Sequence, residues 1–249
     1  MTVGIICLDG LDHRLASEHD IFDPVSASVQ PLVNDLSGEG RLFTPRVWNS
    51  LFLGEDQQEI LGWLPEPKWK TATRDWDFLW DKVVGTSLLN VNVHSNYLHQ
   101  RASIPDGWTS NHGSFGMMIR STEELISHWN ETLGLFDSAL QIGYWRLPDA
   151  YGHWASKKGK ESMADVYDWI REQFWDQIDL PDQYIVLSDH GFVMDPSTGE
   201  GGQDEHTEHG TMAATWDLPR RKMSGFIPTW HDMVISQVRL GNLDALGYV

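Results

Sequence analysis

Apolar residues along this chain fall into unbroken runs and helically spaced sets. Val3 to Leu8 is an unbroken run, "VGIICL", stopped by Asp9 and Gly10. Unbroken apolarity over so short a stretch predicts a strand buried on both faces, as in a parallel sheet. "TSLLNVNV", "SALQIGYWRL" and "QYIVL" predict further strands. Between them the period changes. Ser121 and Glu124 form a capping box ahead of Leu125, Trp129, Leu133 and Phe136, which predicts a helix starting there. "ESMADVYDWIREQFWDQI" carries Met163, Val166, Tyr167, Ile170 and Phe174 at helical spacing, and "TWHDMVISQVRL" predicts a late helix. "SVQPLVNDLSGEG" reads as a short helix through Val29, Leu32, Val33 and Leu36, with Gly38 as its stop. "FTPRVWNSLFLGED" reads as a proline-led turn entering an apolar segment that Gly54 ends.

Strands that alternate with helices predict an α/β protein with a mostly parallel central sheet flanked by helices. The 249 residues suit one large domain spanning 1–249. About 61–119 is irregular outside the predicted strand, rich in Pro, Gly, Asn and Trp, and reads as an insertion or minimal cap within that domain. Neither an internal repeat nor a low-complexity tract interrupts the pattern.

Charge narrows the partners. The net charge of −18 argues against binding a nucleic-acid backbone. Its carboxylates are spread along the chain, which suits a halophilic, high-salt cytoplasm where they keep a protein hydrated. Melting temperature should therefore rise in a KCl series, and full stability without salt would contradict this. The single cysteine, Cys7, lies in an apolar run and reads as a buried thiol. No apolar stretch approaches the ~20 residues needed to span a bilayer, and no basic leader precedes "VGIICL". A cytoplasmic protein without a membrane span is the expectation. Oligomeric state has no signature in the sequence.

The chemistry gathers at strand ends, where open α/β sheets hold their ligands. Asp9 ends the first predicted strand. "PDAYGHW" follows another and supplies Asp149 and His153, four residues apart and able to face one way. "SDHGF" follows "QYIVL" and supplies Asp189 and His190; "DEHTEHG" adds His206 and His209. Carboxylates and imidazoles without thiolates suit divalent zinc first, with manganese or iron as alternatives. Three carboxylates and an alkoxide balance two dications, and a metal pair can clamp both oxygens of an in-line phosphoryl displacement. Gly152 would leave room beside the ion. Thr44 and Ser50 are the candidate nucleophiles.

The ordered set "LDGLD", "TPRVWNSLFLG", "DAYGHW", "SDHGF" and "EHTEHG" resembles the alkaline phosphatase superfamily. It is most similar to the type I phosphodiesterase/nucleotide pyrophosphatase branch and its archaeal members. The resemblance implies an alkaline phosphatase-like fold with a reduced cap. It implies that Asp9, Ser50, Asp189 and His190 hold one metal, and that Asp149, His153 and a late histidine hold the other. His206 is favoured as that histidine, with His209 as the alternative. Ser50 is implied as the nucleophile, four residues before Gly54, with Thr44 in the "TP" turn. Arg46 and Asn49 lie close enough in sequence to contact a phosphoryl oxygen.

The implied activity is metal-dependent hydrolysis of a small phosphorylated substrate, a phosphodiester or nucleotide pyrophosphate, through a covalent Ser50 intermediate. A phosphomonoesterase, sulfatase or phosphotransferase on the same core is the first alternative. The cysteine- or serine-based sulfatase signature is absent, and the chain is short for a mutase. A metal- or nucleotide-binding module without turnover is the other.

Overall fold

The computed structural model describes residues 1–37, 42, 44–56, 77–91, 114–135, 138–160, 162–195, 203–218 and 221–245. Most of the expected insertion, including Trp63, Trp69, Trp76 and the end of "TSLLNVNV", lies outside these residues, as do Gly38 and Phe136. Strands β1 (Val3–Leu8), β3 (Thr86–Leu89), β4 (Leu140–Trp145) and β5 (Gln183–Leu187) run parallel. Strand β8 (His209–Ala214) pairs antiparallel with β5, and β2 (Ser28–Val33) pairs antiparallel with β8. The sheet order is β2-β8-β5-β1-β4-β3, so β1 lies in the interior. A separate two-stranded ribbon joins β6 (Gly191–Asp195) and β7 (Gln203–Thr207).

Helices cover both faces. One layer contains α2 (Thr44–Leu53) and α6 (Met223–Ala245). Its core gathers Ile5, Cys7, Trp48, Phe52, Ile142 and Trp230. The opposite layer holds α1 (His13–Glu18), α3 (Phe115–Leu135), α4 (Leu147–Lys157) and α5 (Ala164–Trp169). Its core gathers Ile6, Leu8, Trp129, Trp145, Tyr167 and Phe174. α5 continues through a π-helical turn, Ile170–Phe174, into Trp175–Gln177. The alternation of Ile5 and Cys7 with Ile6 and Leu8 between layers is the strand period that an unbroken apolar run conceals. Cys7 is buried and free. No helix among the described residues is long and apolar enough to cross a membrane.

Two local expectations fail for identifiable reasons. "SVQPLV" is an edge strand rather than a helix. Pro31 would interrupt a helix, but its missing N–H is harmless on the outer side of β2. Val33, on that same side, sends its N–H away from β8 to the Arg221 carbonyl at 2.8 Å. The helix expected from Ser121 begins at Phe115. Ser114 Oγ accepts from the Met117 N–H at 3.3 Å, so Ser121 lies inside the helix and its capping box is not used.

Candidate metal centre

Three parallel strands deliver carboxylates to one edge of the sheet. Asp9 follows β1, Asp149 sits in the first turn of α4 just after β4, and Asp189 follows β5. All three are buried. The Asp149 N–H donates to the Asp9 carbonyl at 3.1 Å and stitches two of the strand ends together. Gly10 makes this approach possible: its φ is +76°, and a Cβ there would lie 3.0 Å from the Asp149 backbone. Ser188 ties the third strand end in. Its Oγ accepts from the Leu11 N–H at 2.9 Å and donates to the His190 carbonyl at 2.7 Å. Asn34 Nδ2 donates to the Asp189 carbonyl at 3.1 Å.

The imidazoles complete two ligand groups that share Asp149: Asp9, Asp149 and His190, and Asp149, His153 and His206. His190 Nε2 lies 3.3 Å from Asp9 Oδ1 and 3.5 Å from Asp189 Oδ2. His190 Nδ1 must donate to the Gly191 carbonyl, 3.0 Å away, because a carbonyl only accepts. Burial lowers the His190 pKa, so the ring is held neutral and Nε2 presents a lone pair. In the second group, His153 Nε2 and His206 Nε2 each lie 3.3 Å from Asp149 Oδ1 and from one another.

These donors fit cations. Asp9 Oδ1, Asp149 Oδ1 and both Asp189 oxygens are buried without a hydrogen-bond partner among the described residues. Such atoms are costly unless something positive meets them. Burial, then the charges of Asp189 and Asp149, push the Asp9 carboxyl well above the usual range. Burial pushes Asp189 up to about 7. Asp149 is also raised by burial, but the imidazoles of His153 and His206 more than offset this and hold it well below the usual range.

A pH dependence follows for metal-free protein. Asp9 and Asp189 are raised on folding, so their contribution is complete below the unfolded value near ~4. For Asp189 it is lost as pH rises through about 7. Asp149 acts oppositely, and its contribution persists above ~4. His190 and His231 are lowered by burial, the latter to about 4, and act in the opposite sense over this window. The carboxylate contribution is therefore read by difference: from pH ~4 to ~7, chelator-treated wild type should lose melting temperature relative to Asp189→Asn, and zinc should restore wild type most at the upper end. Parallel curves for the two proteins would contradict the arrangement.

The hydroxyls separate sharply. Thr44, at the first position of α2, places Oγ1 3.1 Å from His190 Nε2. Ser50 is fully buried, and its Oγ donates to the Arg46 carbonyl at 2.7 Å. Six residues advance a helix by about 9 Å and leave the two side chains about 120° apart around its axis. The resemblance put Ser50 at the centre; the geometry brings Thr44 there instead. Arg46 is held by a bidentate pair with Asp56 at 2.8–3.1 Å and by the Ser37 carbonyl, and Asn49 is fully buried in α2. The late histidine in the cluster is His206, on β7. His209 begins β8 across from Val33 and belongs to neither ligand group.

Gly152 faces the Phe192 ring rather than the open space beside an ion that its place in "DAYGHW" suggested. A Cβ there would lie 2.3 Å from the Phe192 ring, which packs edge-on against His153 and His206 at centroid distances of 5.1 and 5.3 Å. Gly152→Ala should destabilise by about 1–3 kcal/mol and weaken metal binding by His153 and His206. Thermal melting and metal titration check both effects.

Two neighbours of the cluster had no signal in the sequence. Tyr144, on β4, donates from Oη to Asp9 Oδ2. Arg146 Nη2 donates to Asp149 Oδ2 at 3.1 Å, and its Nε lies 3.9 Å from Asp9 Oδ2. Both read simply as part of a strand; only the strand register shows that they face the carboxylates. The chain matches no family model and no curated protein.

Proposed function

We propose that this protein is a metal-dependent hydrolase of phosphate esters, of the alkaline phosphatase type, with Thr44 as its nucleophile. The observation that carries this reading is Thr44 Oγ1, 3.1 Å from His190 Nε2 beside buried carboxylate oxygens that lack partners among the described residues. Asp9, Asp149, Asp189 and His190 would hold one divalent ion beside the Thr44 hydroxyl; Asp149, His153 and His206 would hold the other. Bound ions would lower the pKa of a hydroxyl and neutralise charge on the phosphoryl oxygens. Zinc suits the mixed imidazole and carboxylate set.

Thr44 Oγ1 gives its proton to solvent and attacks phosphorus. The bond from phosphorus to the leaving oxygen breaks, and that oxygen departs as an alcohol or phosphate after taking up a proton. A phosphoester on Thr44 remains, and water cleaves it to restore the hydroxyl. The position of Thr44 at the start of α2 favours this step, because the free N–H groups and dipole of a helix N-terminus stabilise an anion. The Nδ1 bond to the Gly191 carbonyl fixes the His190 ring so that its Nε2 lone pair would serve the ion next to Thr44.

Zinc-loaded protein assayed on p-nitrophenyl phosphate, bis-p-nitrophenyl phosphate and p-nitrophenyl sulfate tests the reading. Hydrolysis of the phosphodiester above the other two is expected. Preference for the monoester or the sulfate would move the assignment to those activities, and loading without turnover would leave a binding module.

A further inference from the structure

Asp9 and Asp149 each divide their two oxygens between different neighbours. Oδ2 of Asp9 accepts from Tyr144, and Oδ2 of Asp149 accepts from Arg146. Oδ1 of each has no hydrogen-bond partner among the described residues and faces imidazole nitrogen at 3.3 Å: His190 for Asp9, His153 and His206 for Asp149. The guanidinium of Arg146 lies between the two carboxylates. Tyr144 is buried and packed edge-on against Trp48 at 5.5 Å, 87°, so its ring has little room to turn away.

We propose that Tyr144 and Arg146 are positioning residues that make Asp9 and Asp149 one-oxygen ligands, and that this sets the centre's preference for zinc over larger, oxygen-seeking ions. The proposal rests on the metal-binding part of the reading above. An oxygen already committed to a tyrosine or guanidinium hydrogen bond is withdrawn from chelation. Calcium takes about 6–8 oxygens and readily uses both oxygens of a carboxylate. Zinc is satisfied by about four ligands and combines imidazole nitrogen with single carboxylate oxygens. Manganese falls with the oxygen-preferring ions. The hydrogen bonds from Tyr144 and Arg146 thus work against manganese and calcium without touching the metal. Outer partners of this kind typically shift metal affinity by about 10–100-fold.

The test is competition. Metal-stripped wild type, Tyr144→Phe and Arg146→Lys are dialysed against mixed zinc and manganese, and bound metal is counted by mass spectrometry. Lysine keeps the charge but cannot span both carboxylates with a planar fork. Wild type should select zinc, and the zinc-to-manganese ratio should fall about tenfold in either folded variant. A purely structural role would lower both metals together and leave the ratio unchanged, which overturns the proposal. Circular dichroism identifies a variant that fails to fold, and the other then decides. If wild type takes up neither metal, the metal-dependent reading itself falls and takes this proposal with it. If it takes up metal but hydrolyses no phosphoester, the ratio still decides the proposal alone.

Discussion

Asp149→Ala should empty the centre of both metals and lower phosphoester turnover by at least about 10³-fold. Among the described residues, no other ligand is shared by the two groups. Its Oδ1 faces His153 and His206, and its Oδ2 is the acceptor for Arg146. Loss of the side chain removes one ligand from each group and frees Arg146 from its strongest partner. The metal-free fold should also lose stability above pH ~4, because the favourable pairing of Asp149 with His153, His206 and Arg146 is lost, partly offset by relief of repulsion on Asp9 and Asp189. Metal counting and melting curves, run with and without zinc, check the two halves together. Retention of one full equivalent of metal would mean that the groups are independent.

Thr44→Ala should abolish turnover, by about 10³–10⁴-fold, while leaving metal content close to wild type. Ser50→Ala should stay within a few-fold of wild type. The contrast follows from α2. Thr44 reaches His190 from the open first turn of the helix, whereas the Ser50 hydroxyl is spent on the Arg46 carbonyl inside it. Removing that internal bond should cost stability of about 1 kcal/mol rather than rate. Steady-state kinetics on bis-p-nitrophenyl phosphate, with metal content measured on the same samples, separates the two. A dead Ser50→Ala protein with intact fold and metals would reverse the assignment.

Much of the centre is legible in the linear chain because its residues stand where a parallel sheet presents them. Asp9, Asp149 and Asp189 each follow an apolar run closely, and that position is visible in the sequence. His153 follows from Asp149 by helical spacing, and His190 by adjacency. His206 is less accessible. It sits on the β6–β7 ribbon, away from the main sheet, and the sequence pattern that favours it leaves His209 as an alternative. Only pairing shows that Phe192 faces His206 while His209 faces Val33. Residue type does not separate Thr44 from Ser50; their separation depends on α2 beginning at Thr44, and "FTPRVW" reads as a turn. Tyr144 and Arg146 are hidden for a different reason. A strand period says which face a residue occupies, but not that Tyr144 lies beside Cys7 and reaches the next strand end.

The same contrast holds for the fold. The interior strands are legible because burial on both faces leaves unbroken apolar runs. β2 is not, because an edge strand containing proline has partly exposed positions that mimic a helical stripe. Nor is the antiparallel direction of β8, whose sequence "HGTMAA" carries little apolar bulk.

Hydrolysis of bis-p-nitrophenyl phosphate by protein stripped with chelator and then reloaded with zinc is the decisive measurement. Stripping should abolish hydrolysis, zinc should restore it, and Thr44→Ala should bind the metal without recovering rate. Turnover that persists in stripped protein, or that returns fully in Thr44→Ala, would contradict a metal-dependent Thr44 nucleophile.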